Sequence, residues 1–292
     1  MNINYLGEVV MNAMQREEDF YYCEMIIKKH SKSFYYAFSK LPTEKANAVY
    51  AIYAFCRKSD DITDGNYSVQ NKIKALNQLK SELDLFRNHE ELDQPLWRAL
   101  RHVFHTYNMD IQPFYDQLWG GQSMDVNFVT LKTMHELERY CYYVAGSVGL
   151  MLLPVIASKN SNVLQSSSVE LGTAMQITNI LRDVGEDFYD KGRIYLPADY
   201  LSCYKYTYDD LRNGIINQNF INIWEKLAGY AESLYHRFLL DIDQFDKDSQ
   251  RSVYLSVQVY KAILDAVRGN DYDCLSKRNY VTVERILEIE RT

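Results

Sequence analysis

The chain has 292 residues, 47% of them hydrophobic, with only 12 glycines and 5 prolines, so it holds ample material for long packed helices and few residues that break them. Its 32 basic and 39 acidic side chains give a formal charge of -7, and no basic block stands out, which sets aside a nucleic-acid partner. Five cysteines, Cys23, Cys56, Cys141, Cys203 and Cys274, are scattered without CxxC spacing, as in a reduced compartment with neither a zinc site nor a disulfide framework.

The first 20 residues are mixed polar and acidic and do not resemble a signal peptide; about 1–18 are expected to form a mobile extension of a single helical domain spanning 1–292, with a cytoplasmic address. Apolar residues then recur at helical spacing over 19–40 and 43–64, and Leu41-Pro42 breaks the two into a hairpin. Further helical patterns run over 69–87, 95–107, 131–158, 168–188, 221–245 and 252–268, joined by short polar connections. The longest apolar run, 148–157, contains Gly149 and Pro154 and falls short of the ~20 residues a spanning helix needs, so it reads as a buried helix. Residues 160–168 are rich in Ser and Asn and read as a loop, and 191–197 break the helical pattern again. No strand series interrupts these segments, so the fold class is all-α.

Two acidic segments carry the chemistry: Asp60-Asp61-Ile62-Thr63-Asp64 and Asp183-Val184-Gly185-Glu186-Asp187. Residues four apart on a helix lie ~40° apart around the axis and ~6 Å apart along it, so Asp60 and Asp64 share a face, as do Asp183 and Asp187. The same count aligns Tyr53 and Arg57 with the first pair and Gln176 and Asn179 with the second. Like charges this close repel, and more so when desolvated, so a buried acidic cluster requires a cation. Magnesium suits carboxylate oxygen and completes its shell with water and phosphate, which points to a diphosphate substrate. Arg57, Arg182 and Arg193, with Lys28, Lys29, His30, Ser31 and Ser33, are available as phosphate donors. An Asp cluster on one helix is more often a solvated face; two clusters, the second preceded by amides one and two turns earlier, reverse that preference. Phe34, Phe38, Tyr50 and Tyr53 are by default core packing, and Ala145, Gly146 and Gly149 a close helix crossing.

Four stretches resemble the squalene and phytoene synthases: 30–34 (HSKSF), 53–64 (YAFCRKSDDITD), 140–149 (YCYYVAGSVG) and 176–187 (QITNILRDVGED), followed by Arg193-Ile194-Tyr195-Leu196-Pro197. The wording of the motifs is most similar to the bacterial dehydrosqualene (4,4'-diapophytoene) synthases of that family. The resemblance implies the isoprenoid synthase fold with a central cavity. It implies roughly two or three magnesium ions with the substrate diphosphate, held by Asp60, Asp64, Asp183 and Asp187, with Asp61 alongside and Asn179 assisting. Arg57, His30, Ser31, Ser33, Arg182, Tyr195 and Arg278 would meet the diphosphates. Phe34, Tyr53, Tyr142, Gln176 and Tyr260 would shape the chamber, Tyr142 as a catalytic residue with Arg57 and the four aspartates. Phe38 and Tyr50, closing the deep end, would favour two farnesyl diphosphates over two geranylgeranyl diphosphates.

The implied reaction joins two prenyl diphosphates head to head through a cyclopropylcarbinyl diphosphate to dehydrosqualene, an early step towards C30 carotenoids, with no NADPH. Phytoene synthase is the runner-up and squalene synthase, which needs NADPH, the third reading. A non-catalytic helical assembly or binding protein of the same fold would have eroded its acidic motifs, and these are intact. The greasy substrates and product bring peripheral contact with the inner face of a membrane, and a downstream desaturase, into consideration as partners.

Overall fold

Two long helices, α1 (Ile3–His30) and α3 (Thr43–Asp64), pack against each other and against α5 (Pro95–Thr106) to form one half of the protein. This computed structural model describes the backbone of residues 3–291 and the side chains of 13–291. Helix α1 begins well before residue 19, so 3–18 continue the helix where the sequence suggested a separate extension. It also ends earlier than expected: Ser31 takes φ -145° and ψ 85°, and a short α2 (Lys32–Phe38) restarts the chain at a new angle. Pro42 precedes α3, whose apolar positions Val49, Ile52 and Phe55 are fully buried, and α4 (Val69–Arg87) begins at Ser68, whose hydroxyl accepts from the Asn71 amide.

Two segments depart from α-helical winding. Between α6 (Gln112–Tyr115) and α7 (Gln122–Val126) the chain makes a π-helical turn over Asp116–Gly121. A second π turn, Tyr142–Gly146, joins α8 (Met134–Cys141) to α9 (Ser147–Ile156). The two turns pack on each other, Gly120 beneath the ring of Tyr143. The run Met134–Ile156 is long and apolar enough by composition to cross a membrane, but half of its most apolar window is buried inside the protein, as in a core helix.

The second half is organised on α10 (Gln165–Arg182), which packs against α9, α14 (Gln218–Leu239) and α15 (Lys247–Arg268). The close crossing expected at the small residues is present: Gly149 lies against α10, where a Cβ would stand 2.7 Å from the carbonyl oxygen of Ser168. Short helices α11 (Val184–Tyr189), α12 (Ala198–Cys203) and α13 (Tyr208–Arg212) lead from α10 to α14, and α16 (Val283–Arg291) ends the described chain. The buried apolar side chains of both halves form one continuous core, and no strand occurs among the described residues.

Helix α10 does not run on through residue 188 as its periodicity suggested. It breaks at Asp183 (φ -109°, ψ 17°), where the Leu181 carbonyl accepts from the Trp224 indole at 3.0 Å and the Gly185 amide donates to the Cys274 carbonyl at 2.9 Å. The backbone groups freed at the break are thus satisfied by distant parts of the chain.

Candidate active site

Two connected spaces lie between the halves. A largely apolar cavity of about 1080 Å³ runs among α2, α3, α9, α10 and α15, walled by Phe34, Phe38, Tyr53, Leu152, Met175 and Tyr260. At one end it meets a polar chamber of about 680 Å³ that contains Asp60, Asp64, Asp183 and Asp187 with Arg182, Lys191, Arg193 and Tyr195. Asp60, Val144, Gln176 and Asn179 border both spaces. The two aspartate motifs therefore meet in one chamber, as the family resemblance implied and their spacing alone did not establish, with the amides of Gln176 and Asn179 at its junction with the apolar cavity.

Electrostatics in the chamber are strained by burial. Asp60 is pushed up to about 7, first by desolvation and then by Asp64 and Asp125, against the lowering influence of Arg57 and of the Gln122 amide, which donates to it at 2.5 Å. Asp187 is pushed up to about 6 by burial and by Asp183, opposed by Lys191. Internal cations partly neutralise the rest. Arg182 donates twice to Asp183, at 2.7 and 2.5 Å, and Lys191 stands 3.3 Å from Asp187 and 3.8 Å from Asp64. Among the described residues no three acidic, histidine or cysteine side chains gather as a closed metal cage. The chamber's carboxylates with the Asn179 amide oxygen are hard donors of the kind magnesium takes, and the ion commonly completes its shell with water and substrate phosphate.

Several expected residues stand elsewhere. Asp61 is exposed on the outer side of α3 and accepts from Arg57 Nε at 2.8 Å; neither lines the chamber. His30 is an exposed neighbour of this pair at the end of α1, and Ser31 and Ser33 are half-buried at the α1–α2 break. Tyr142 does not reach the chamber: its hydroxyl donates to Asp116 at 2.7 Å, because the π turn directs its ring towards the facing π turn. Tyr50 is buried and packs on Tyr35 in a tilted pair with ring centroids 5.7 Å apart, without lining the cavity; Phe38 does line it, its ring centroid 4.4 Å from that of Phe34. Arg278 reaches Asp183 at 3.2 Å and Glu186 at 3.1 Å from the exposed side, in an adjoining pocket. Tyr195 is in the chamber, but its single hydroxyl proton is given to Asp125 at 2.8 Å, so it is not a free donor for phosphate.

Sequence reasoning missed Gln122 and Asp125, which enter the chamber from α7. Three residues apart on one helical face, they follow two glycines that let the segment approach Tyr143 and Val144 closely, and that pairing was the available signal. It also missed Thr63, whose buried hydroxyl donates to Gln122 at 2.7 Å.

The sequence pattern of the squalene/phytoene synthase family matches residues 27–285. The chain belongs to that family. Among squalene/phytoene synthases it is 37% identical to the 4,4'-diapophytoene synthase of Staphylococcus haemolyticus, over 91% of this chain and 93% of that one. It is 35% identical to the 15-cis-phytoene synthase of Synechococcus elongatus, over 91% and 89% of the two chains. A crystal structure of a dehydrosqualene synthase in complex with ligand superposes with a TM-score of 0.90 at 40% identity, covering 95% of this chain and 96% of that one. The all-α isoprenoid synthase fold of this family, and its prenyltransferase type of chemistry, apply to this chain.

Proposed function

We propose that the protein is a magnesium-dependent dehydrosqualene synthase that condenses two farnesyl diphosphates head to head. The observation that carries this reading is the continuity of the two spaces: an acidic chamber suited to diphosphate and cation opens, at Asp60, Gln176 and Asn179, into an apolar cavity suited to prenyl chains. The likeness to a 4,4'-diapophytoene synthase and to a dehydrosqualene synthase structure supports the choice within the family.

Asp60, Asp64, Asp183 and Asp187, with Asn179, are the residues that would hold magnesium, and the bound ion supplies neutralisation of the diphosphate leaving group. The chain's own cations, Lys191 and Arg193, share that task from the same chamber. Gln176 and Asn179 orient the head of the substrate where polar and apolar spaces meet. The rings of Phe34, Tyr53 and Tyr260 line the cavity, present π faces to an allylic cation and, with Leu152 and Met175, exclude water from it. The 2,3-double bond of the second substrate attacks that cation, and loss of a proton from the first substrate's C1 closes the ring to a cyclopropylcarbinyl diphosphate. A second loss of diphosphate opens the ring to the 1-1' bond, and loss of a proton completes the conjugated triene.

The deciding experiment incubates purified protein with magnesium and either farnesyl or geranylgeranyl diphosphate, with and without NADPH, and identifies the hydrocarbon by mass. Dehydrosqualene formed without nucleotide is the expected product. Phytoene from geranylgeranyl diphosphate alone would transfer the reading to phytoene synthase, which the cyanobacterial relative favours. NADPH-dependent squalene would place the chain with the reductive members.

A further inference from the structure

Asp125 is the one carboxylate of the polar chamber, among the described residues, that lies outside both aspartate motifs. It accepts the hydroxyl protons of Tyr195 at 2.8 Å and Tyr140 at 3.1 Å, and those two rings stack 4.9 Å apart. Tyr195 in turn accepts from Arg193 Nη1 at 3.4 Å, and the same nitrogen stands 3.9 Å from Asp125 and 3.6 Å from Asp64. The Arg193 amide donates to the Asp187 carbonyl at 2.8 Å. Arg193 therefore touches the first motif by its head and the second by its backbone, while Asp125 and Tyr195 stand behind it.

This arrangement has a specific use. Once Asp64 is committed to a cation, it no longer restrains the guanidinium, and a flexible side chain facing a diphosphate loses part of its binding in ordering itself. Asp125 supplies a second anchor, reached directly and through Tyr195; burial pushes its carboxyl up, and Arg193 with the hydroxyls of Tyr195 and Tyr140 opposes that by favouring the carboxylate. Resting on the diphosphate reading above, we infer that Asp125 is a positioning residue that holds Arg193 pointed at the diphosphate, with Tyr195 as the relay between them. Tyr195 then serves the substrate by fixing a cation and not by donating to phosphate itself.

The test is a double-mutant cycle read by calorimetric titration of inorganic pyrophosphate in excess magnesium, together with KM and kcat for the prenyl substrate. Asp125→Asn and Arg193→Gln are each expected to weaken pyrophosphate binding on the order of tenfold, and the double variant no further than Arg193→Gln alone, because both remove one interaction. KM should rise more than kcat falls, a split that general loosening of the fold would not produce. Wild-type pyrophosphate affinity in Asp125→Asn, or losses that multiply in the double variant, would overturn the assignment. If Asp125→Asn does not fold, Tyr195→Phe breaks the relay while leaving the carboxylate paired with Tyr140. Weakened binding there, non-additive with Arg193→Gln, supports the inference, and unchanged binding overturns it. A wild-type protein that binds no pyrophosphate at all would instead sink the diphosphate reading and carry this inference down with it.

Discussion

Gly185 lies beneath the carbonyl of Leu275, so close that a methyl group on its Cα would overlap the oxygen, and its amide donates to the neighbouring Cys274 carbonyl at 2.9 Å. The middle of the second aspartate motif is thus the docking point of the loop that carries Arg278. That loop holds its own shape: Asp271 and Tyr272 sit at φ 53° and 59°, and Asn279 donates to the Asp273 carbonyl at 2.9 Å.

Replacing Gly185 by Ala is expected to lift the loop and draw Arg278 away from Asp183. Overpacking of this kind costs about 1–3 kcal/mol, to be read from urea denaturation. KM for the prenyl diphosphate should rise several-fold in the same variant. Arg278→Gln should reproduce the KM change with stability near wild type, because Arg278 is exposed.

The buried carboxylates set a pH dependence of definite sign. Asp60 near 7 and Asp187 near 6 both lie above the ordinary 3.8, so the folded metal-free protein holds these protons more tightly than the unfolded chain. Their contribution is therefore lost as pH rises from about 4 through 7. His30 and His102 are displaced downwards, mainly by desolvation, and act in the opposite sense as pH rises through 6.5. Comparison with Asp60→Asn cancels the histidines: the stability difference between wild type and variant should move against wild type from about pH 4 to pH 7. Affinity for magnesium with pyrophosphate should rise over the same interval, since binding requires the deprotonated acids.

Phe38 and Tyr50 separate into different roles. Phe38→Ala enlarges the apolar cavity it lines and should allow product from geranylgeranyl diphosphate, detected by mass. Tyr50→Ala removes a ring buried behind the wall and should cost about 3–5 kcal/mol of stability, as large aromatic deletions in cores do, with product length unchanged.

The parts of this fold that local chemistry dictates were legible from the sequence. The bounds of α3 and α4 agree with the break at Leu41-Pro42 and the periodicity of 69–87, and the spacing of Asp60 with Asp64 and of Gln176 with Asn179 puts each pair on one polar face, which the fold turns to one chamber. What stayed hidden depends on distant partners. The break at Asp183 is made by Trp224 and Cys274, and Tyr142 is claimed by Asp116. The segment 112–126 showed no helical period because a π turn shifts the register and Gly120-Gly121 reads as a breaker. Gln122 and Asp125 were concealed with it. Asp61 is a different case: the resemblance set it alongside Asp60, whereas helical winding turns adjacent residues ~100° apart, and the contact with Arg57 one turn earlier shows that it faces outward.

The hydroxyl of Thr63 decides how Gln122 meets Asp60. It donates to Gln122 Oε1 at 2.7 Å, which leaves the amide nitrogen to face Asp60 at 2.5 Å. Thr63→Val keeps the shape and removes this donor, so the buried Gln122 oxygen loses a partner at a cost of about 1–3 kcal/mol. The amide is then free to turn, and in the reversed orientation its oxygen opposes the Asp60 carboxylate. Partners of this kind orient metal-binding carboxylates, and their loss typically weakens metal affinity about 10–100-fold. A magnesium titration in the presence of pyrophosphate should show a loss at the lower end of that range for Thr63→Val, whereas Thr63→Ser, which retains the hydroxyl, should titrate as wild type. Equal losses in both variants would mean that packing of the threonine methyl, and not its proton, holds Asp60 in place.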